Sequence, residues 1–238
     1  MSAAPTLSIV LPAYEEAANL RQILPELRRA AEALTSAYEI LVIDAAEPRD
    51  ATPEICAENG IRCIPRTGGA YYGNAVCTGF REARGQYVVI MDADGSHGPG
   101  FIAKMWPHRE EYDLVIASRY VPGGQTENPF ILIFLSLAVN VTFRLVLNLS
   151  CHDVSNSFRL YRGDQVRALR LECANFDIVE EILVKLSRGK EGFRLKEVPF
   201  TFEKRKEGKT KRNLVAFAIS FIVTLYKLWR MSRQAKSN

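Results

Sequence analysis

Histidine and paired cysteine are scarce in this chain. Only three of its 238 residues are histidine (His97, His108, His152), and they show no ligand spacing. The five cysteines (Cys56, Cys63, Cys77, Cys151, Cys173) are odd in number, scattered, and form no C-x-x-C pair. This argues against structural zinc and against a disulfide framework. The thiols are read as reduced and mostly buried in a cytosolic protein. A strong charge imbalance is also lacking: the formal net charge is +4, which does not demand nucleic acid as a partner. The start of the chain shows no basic segment followed by an apolar one, and Leu7 to Leu11 is too short for a signal sequence. There is no internal repeat and no low-complexity linker. With 47% hydrophobic and 24% charged residues, the composition suits one sizeable globular domain.

Apolar runs free of polar residues and long enough to span a bilayer are missing as well. Pro129 to Leu149 reads as a long apolar helix, but it carries Asn140 and Arg144, both costly at mid-bilayer. A crossing there would also place Arg119 and Arg159 on opposite sides of the membrane. Leu214 to Tyr226 is apolar but short, and Lys227 and Arg230 follow it. That pattern predicts an interfacial helix with its basic end at lipid headgroups. Positive charge is concentrated nearby, at Lys204, Arg205, Lys206, Lys209, Lys211 and Arg212, which points to phosphate groups or an anionic membrane surface.

What is present in quantity is alternation of strands and helices. Leu7–Leu11 reads as a strand stopped by Pro12, followed by an amphipathic helix through Leu20, Ile23, Leu24, Leu27 and Leu34 with a kink expected at Pro25. Glu39–Ile43 is a second strand ending at Asp44. Thr52-Pro53-Glu54 looks like a helix start with Thr52 as cap. Ile61–Ile64, Tyr87–Met91 and Leu114–Ala117 are further strands, with a helix from about Gly73 to Arg84. A strand over Phe158–Tyr161, a helix over Ile178–Ser187, and a strand pair or edge strand over Phe193–Phe202 complete the second half. The fold class predicted is α/β, a mostly parallel sheet with helices on both faces. Residues 1–212 would form the main domain. Residues 213–238 would add a membrane-associated helix and basic tail.

The strand Val88–Met91 runs into Asp92-Ala93-Asp94-Gly95-Ser96-His97. Strand side chains alternate, so Asp92 and Asp94 project to one side where the strand ends. Paired carboxylates at the carboxyl end of a sheet strand suit a hard divalent cation, Mg²⁺ or Mn²⁺, which would neutralise a diphosphate. Pro12, Asp44 and Asp92 should then share one rim.

Six pieces of sequence together resemble a known family: S-I-V-L-P-A-Y-E-E at 8–16, V-I-D at 42–44, I-M-D-A-D-G-S-H at 90–97, A-S-R-Y at 117–120, S-F-R-L-Y-R at 157–162 and E-V-P-F-T-F at 197–202. In this order the chain resembles the inverting glycosyltransferases of family 2, which have the Rossmann-like GT-A fold. Within that family it is most similar to the dolichol- or polyprenol-phosphate mannosyltransferases. The resemblance implies a nucleotide-sugar donor, a polyprenyl-phosphate acceptor, and a peripheral position on the cytoplasmic face of a membrane, with a membrane-anchoring subunit as a further partner. It implies that Pro12, Tyr14, Glu16 and Asp44 contact the nucleotide. It also implies that Asp92, Asp94 and Ser96 lie on the metal side, and that Arg119 faces the phosphates. Ser136, Arg205 and Lys211 would lie at the acceptor phosphate. The chain departs from the family after Asp44, where the run is Asp44-Ala45-Ala46-Glu47-Pro48-Arg49-Asp50, and at Leu132, where an arginine is usual.

The acceptor decides what else is needed. A lipid phosphate brings its own anionic nucleophile, and a basic clamp suffices, with Arg159 and Arg205 as its candidates. A sugar hydroxyl needs a carboxylate base, for which Asp153 is the first candidate and Glu181 the second.

Overall fold

The computed structural model describes residues 4–202 and 214–234. In chain order its elements are β1 (Leu7–Pro12), α1 (Ala17–Glu32), β2 (Tyr38–Asp44), α2 (Thr52–Glu58), β3 (Arg62–Pro65), α3 (Tyr72–Glu82), β4 (Tyr87–Ile90), α4 (Ile102–Met105), β5 (Leu114–Ser118), β6 (Gln125–Thr126), α5 (Phe130–Val146), β7 (Arg159–Arg162), α6 (Gly163–Ala168), α7 (Ile178–Gly189), β8 (Leu195–Pro199), β9 (Thr201–Phe202) and α8 (Leu214–Gln234). The short α4, α6 and β6 carry too few periodic positions to be read from sequence. Residues Arg205 and Lys211 lie outside the described residues.

Seven strands form one sheet in the order β3-β2-β1-β4-β7-β5-β8, and β6 pairs with β9 in a small second sheet. Every neighbouring pair in the large sheet is parallel except those made by β7, which runs antiparallel to both β4 and β5. This arrangement positions the site. The carboxyl ends of β1, β2, β3, β4, β5 and β8 all reach the same rim, and β7 begins there. Seven chain segments that leave or enter the sheet at that edge are thus brought together, as in other open α/β sheets that bind ligands.

Alternation along each strand feeds two separate cores. Val10, Leu41, Ile43, Val88, Ile90, Leu114 and Ile116 face α3, α5, α6, α7 and α8. Ile9, Leu11, Val42, Val89, Met91, Val115 and Ala117 face α1, α2 and α4. Both faces are covered, which is why the central strands read as continuous apolar runs. α1 continues through Pro25 as one helix. The expected cap at Thr52 is corrected: Ala51 is the cap position, and the Asp50 carboxylate accepts from the Thr52 amide at 3.0 Å. Asp50 also accepts from the Ala17 amide at 2.8 Å, so one side chain fastens the starts of α1 and α2 together.

Among the described residues no helix is long and apolar enough to cross a membrane. α8 is partly a core helix. Leu228 is fully buried, Phe221 packs on Phe143 of α5 with ring centroids 5.0 Å apart, and Thr224 donates to Asp177 at 2.9 Å. Its opposite face leaves Ile222, Val223 and Tyr226 exposed.

Glu181 on α7, the second candidate base, is not placed to act as one. It is fully buried, and its carboxylate accepts from the amides of Glu172 and Cys173 and pairs with Lys185 at 2.8 Å. Burial alone would raise its pKa; the Lys185 ammonium and the two amides outweigh burial and hold it below the usual glutamate range. As pH falls below about 4.3 the unfolded chain takes up this proton first, so stability is lost until the folded pKa is passed. The melting temperature of Glu181→Gln should therefore depend less steeply on pH between about 5 and 3 than that of the wild type. Parallel slopes in a pH series of thermal melts would contradict this.

Candidate active site at the sheet rim

Asp92 and Asp94 follow β4 directly. Ala93 between them is buried while both carboxylates remain partly exposed, so alternation persists past the strand and turns both acids to the open rim. Asp92 Oδ1 accepts from Tyr72 Oη at 3.0 Å and from Ser157 Oγ at 3.1 Å. Asp94 Oδ1 accepts from the Ser96 amide at 3.0 Å and from Ser96 Oγ at 2.6 Å. Ser96 is fully buried, away from the open rim, and its hydroxyl donates to Asp94. Its expected place on the metal is therefore corrected: it orients a carboxylate from behind.

His97 sits under this loop. Its ring stacks on Phe158 at 4.8 Å, and Phe200 and Phe202 approach it edge-on at 5.9 and 5.8 Å. Nδ1 accepts the Asp92 amide proton at 2.9 Å, which assigns the ring proton to Nε2. Burial holds its pKa below the ordinary histidine value. His97 shapes the loop through that amide.

Arg119 leaves β5 at the same rim. Its guanidinium forms a fork with Asp153, Nε to Oδ2 at 2.8 Å and an Nη to Oδ1 at 2.7 Å, and its own amide also donates to Asp153. Phe202 lies 5.6 Å from the guanidinium. Asp153 is 0% exposed. A carboxylate so enclosed and so paired is not placed to take a proton from a substrate, and the general-base expectation is corrected to one of holding Arg119. Glu197 of β8 fixes Asp153 in turn by accepting its amide at 2.9 Å.

Arg159 is the second correction among the basic residues. It is fully buried, and its three nitrogens donate to the carbonyls of Asn156, Val179 and Val154 at 2.7, 2.8 and 2.6 Å. All three nitrogens are engaged and the side chain is fully buried, so it is not presented to an acceptor phosphate at the rim. Its work is to tie the 154–156 turn and α7 to β7.

On the other flank of the rim, Asp44 ends β2 buried, and its Oδ2 has no hydrogen-bond partner among the described residues. Burial raises its pKa. A lone buried carboxylate oxygen calls for an N–H donor from a ligand, which suits a nucleotide base. Tyr14 is exposed, with the guanidinium carbons of Arg49 and Arg66 at 5.7 and 5.8 Å from its ring centre. Pro12 is buried in register with Ile43, and Glu16 is buried and accepts from Asn19 at 2.6 Å. Glu15 has φ of 57°, a left-handed conformation at a non-glycine residue in the loop that displays Tyr14. Arg66, not foreseen from sequence, clips three loops: it donates to the carbonyls of Asp44 at 3.0 Å, Ala70 at 3.0 Å, and Ala13.

Asn140 explains the polar residue inside α5. It is buried, accepts from the Val154 amide at 2.7 Å, and donates to the Ser136 carbonyl at 2.8 Å. The helix is thereby bolted to the segment that carries Asp153. Ser136 lies one turn before Asn140, partly buried.

The donor set can be tested against a cation. Among the described residues no group of three or more His, Cys, Asp or Glu is gathered to hold a metal alone. Two partly exposed carboxylates with only oxygen donors suit Mg²⁺ or Mn²⁺, which are commonly held by one or two carboxylates plus substrate phosphates. The residues therefore fit such an ion completed by a ligand.

A family model described as glycosyl transferase family 2 matches residues 8–169. The chain is 34% identical over 212 residues to the dolichol-phosphate mannosyltransferase of Pyrococcus furiosus, covering 86% of this chain and 58% of that protein. It thus spans somewhat more than half the length of that relative. It is 32% identical over 213 residues to the undecaprenyl-phosphate mannosyltransferase of Micrococcus luteus, covering 85% of each. Among solved structures it is similar to Mycobacterium tuberculosis glucosyl-3-phosphoglycerate synthase in complex with Mn²⁺, UDP-glucose and phosphoglyceric acid. The TM-score is 0.75 at 18% identity, with 94% of this chain and 80% of that one covered. At this identity the likeness shows the fold, the GT-A architecture expected from the sequence.

Proposed function

Since the chain belongs to glycosyltransferase family 2, we propose that it transfers a mannose-like hexose, with inversion, from a nucleotide-diphosphate sugar to a polyprenyl phosphate at a membrane surface. The observation that carries this reading is the state of the carboxylates. Asp92 and Asp94 face the open rim, whereas Asp153 and Glu181, the two candidate bases, are buried and paired. A phosphate acceptor needs no base to deprotonate it, while a hydroxyl acceptor does. The relatives, a dolichol-phosphate mannosyltransferase, an undecaprenyl-phosphate mannosyltransferase and a polyprenol monophosphomannose synthase, point the same way.

The chain's own groups have distinct tasks. Asp44 and Tyr14 receive the base and ribose. Arg119, kept charged and aimed by Asp153, faces the diphosphate and stabilises the charge that builds there as the sugar leaves. Asp92 and Asp94 would hold Mg²⁺ or Mn²⁺, which when bound offsets charge on the same diphosphate; the neighbour crystallised with Mn²⁺ and UDP-glucose supports this. Ser136, Arg205 and Lys211 are assigned to the acceptor phosphate.

The lipid acceptor also needs a way to the rim. Phe130 and Leu145 of α5 are 82% and 73% exposed, and Phe134, Leu137 and Val141 between them are exposed on the same helical stripe. With Ile222, Val223 and Tyr226 of α8 this makes an apolar surface suited to lie in a bilayer interface, peripheral on the cytoplasmic face.

The test uses vesicles containing a polyprenyl phosphate, Mg²⁺ or Mn²⁺, and radiolabelled mannose on GDP, with labelled glucose on UDP run alongside. Product should partition into organic solvent and be labile to mild acid; a water-soluble product refutes the lipid-phosphate acceptor. In the same assay Phe134→Asp with Leu145→Asp should cut turnover on vesicles by about ten-fold or more. Turnover on a short-chain, detergent-soluble acceptor should be unchanged. Equal losses on both acceptors would count against the membrane face.

A further inference from the structure

Asp92 is held by two hydroxyls that reach it from either side in sequence. Tyr72 opens α3, and Ser157 lies in the turn before β7. Both donate to the same carboxylate oxygen, Oδ1, at 3.0 and 3.1 Å. The other oxygen, Oδ2, lies 4.0 Å from His97 Nε2, too far to be engaged by it.

Neither support is loosely placed. The Tyr72 ring stacks on Phe176 with centroids 4.2 Å apart and an interplanar angle of 11°. The turn after Tyr72 presses on the 173–174 backbone: the Gly73 amide donates to the Ala174 carbonyl at 2.7 Å, and a Cβ at Gly73 would stand 2.6 Å from that carbonyl. Only glycine fits there, and its fit draws the Phe176 segment against Tyr72. Ser157 is buried. It is followed by Phe158, which the His97 ring stacks upon, and preceded by Asn156, whose amide nitrogen donates to the Ala117 carbonyl at 2.5 Å.

We propose that Tyr72 and Ser157 are positioning residues that occupy Asp92 Oδ1, leave Oδ2 as the oxygen presented to the divalent cation, and so set how tightly this protein holds that cation. The inference rests on the reading of Asp92 as a cation ligand. The physical reason is general. A ligand carboxylate free to rotate must be ordered on binding, and outer hydrogen bonds that order it beforehand are worth roughly ten- to a hundred-fold in metal affinity.

The experiment measures Mn²⁺ binding by electron paramagnetic resonance of the free ion, with Mn²⁺ alone and with added GDP or UDP. Tyr72→Phe removes one oxygen atom and keeps the stacked ring. It should weaken Mn²⁺ binding about ten-fold, and Ser157→Ala should do likewise. In turnover assays the metal concentration for half-maximal rate should rise in proportion, while kcat at saturating Mn²⁺ returns to within a few-fold of wild type. A merely structural role would lower kcat at every metal concentration. If Tyr72→Phe melts markedly lower without metal, Ser157→Ala carries the comparison. Mn²⁺ dissociation constants within two-fold of wild type for both variants overturn the proposal and leave the cation site standing. Absence of Mn²⁺ binding by the wild type with either nucleotide overturns the cation site and this inference with it.

Discussion

Asp94→Ala should lower kcat by at least about a hundred-fold, toward a thousand-fold, on the scale of removing one group aimed at developing charge. The fold should survive, because Asp94 is partly exposed and the hydrogen bonds it accepts from Ser96 are local, two residues away. Asp94→Asn refines the result. The amide oxygen still accepts from Ser96, so the loop keeps its shape, but the negative charge is gone. If charge is what matters, the asparagine variant should be nearly as inactive as the alanine variant, and Mn²⁺ with nucleoside diphosphate should no longer raise its melting temperature. Activity above about a tenth of wild type, measured under the vesicle assay conditions, would remove Asp94 from the cation site.

Arg159→Met should cost about 3–5 kcal/mol of stability, which places it among the exceptional single substitutions. The side chain is close in length, so the loss comes from the three donated hydrogen bonds to Asn156, Val179 and Val154. For a domain whose stability is about 5–15 kcal/mol, much of the margin would go. Chemical denaturation reads this directly. A stable Arg159→Met protein with impaired turnover would restore Arg159 to the acceptor phosphate, contrary to its burial. Arg119→Lys provides the contrast: it keeps a cation beside the buried Asp153 while losing the planar fork at the rim, so its loss should fall mainly on turnover.

These two arginines show how far the sequence could be read. The strands, their order of appearance and the rim acids were legible because alternation and strand-terminal aspartates are local signals. Arg119 was legible through its A-S-R-Y context. Arg159 was misread because Phe158-Arg159-Leu160 looks half exposed by alternation. In a sheet covered on both faces, however, the alternate position also points into a core. The identity of that core depends on α7, twenty residues further on. Tyr72 gave no signal at all, since its partners Asp92, Ser157 and Phe176 lie 20 to 104 positions away. Asn140 was read as a cost in an apolar helix, and its compensation, the Val154 amide, is non-local. Asp50, within the run that departs from the family, turned out to fasten two helix starts, which a single residue's spacing does not announce.

The position of β7 bears on how the protein is made. It pairs with β4 through Tyr87–Ile90 and with β5 through Leu114–Ile116, so neither of those earlier strands has its inner neighbour until Arg162 has been synthesised. A nascent chain halted after β5 carries one bare edge on β4 and two on β5, whose other neighbour β8 comes later still, and a rim lacking Ser157 and Asp153. Separately expressed halves divided after β5 should therefore be prone to clumping, and this fold is expected to tolerate division there poorly.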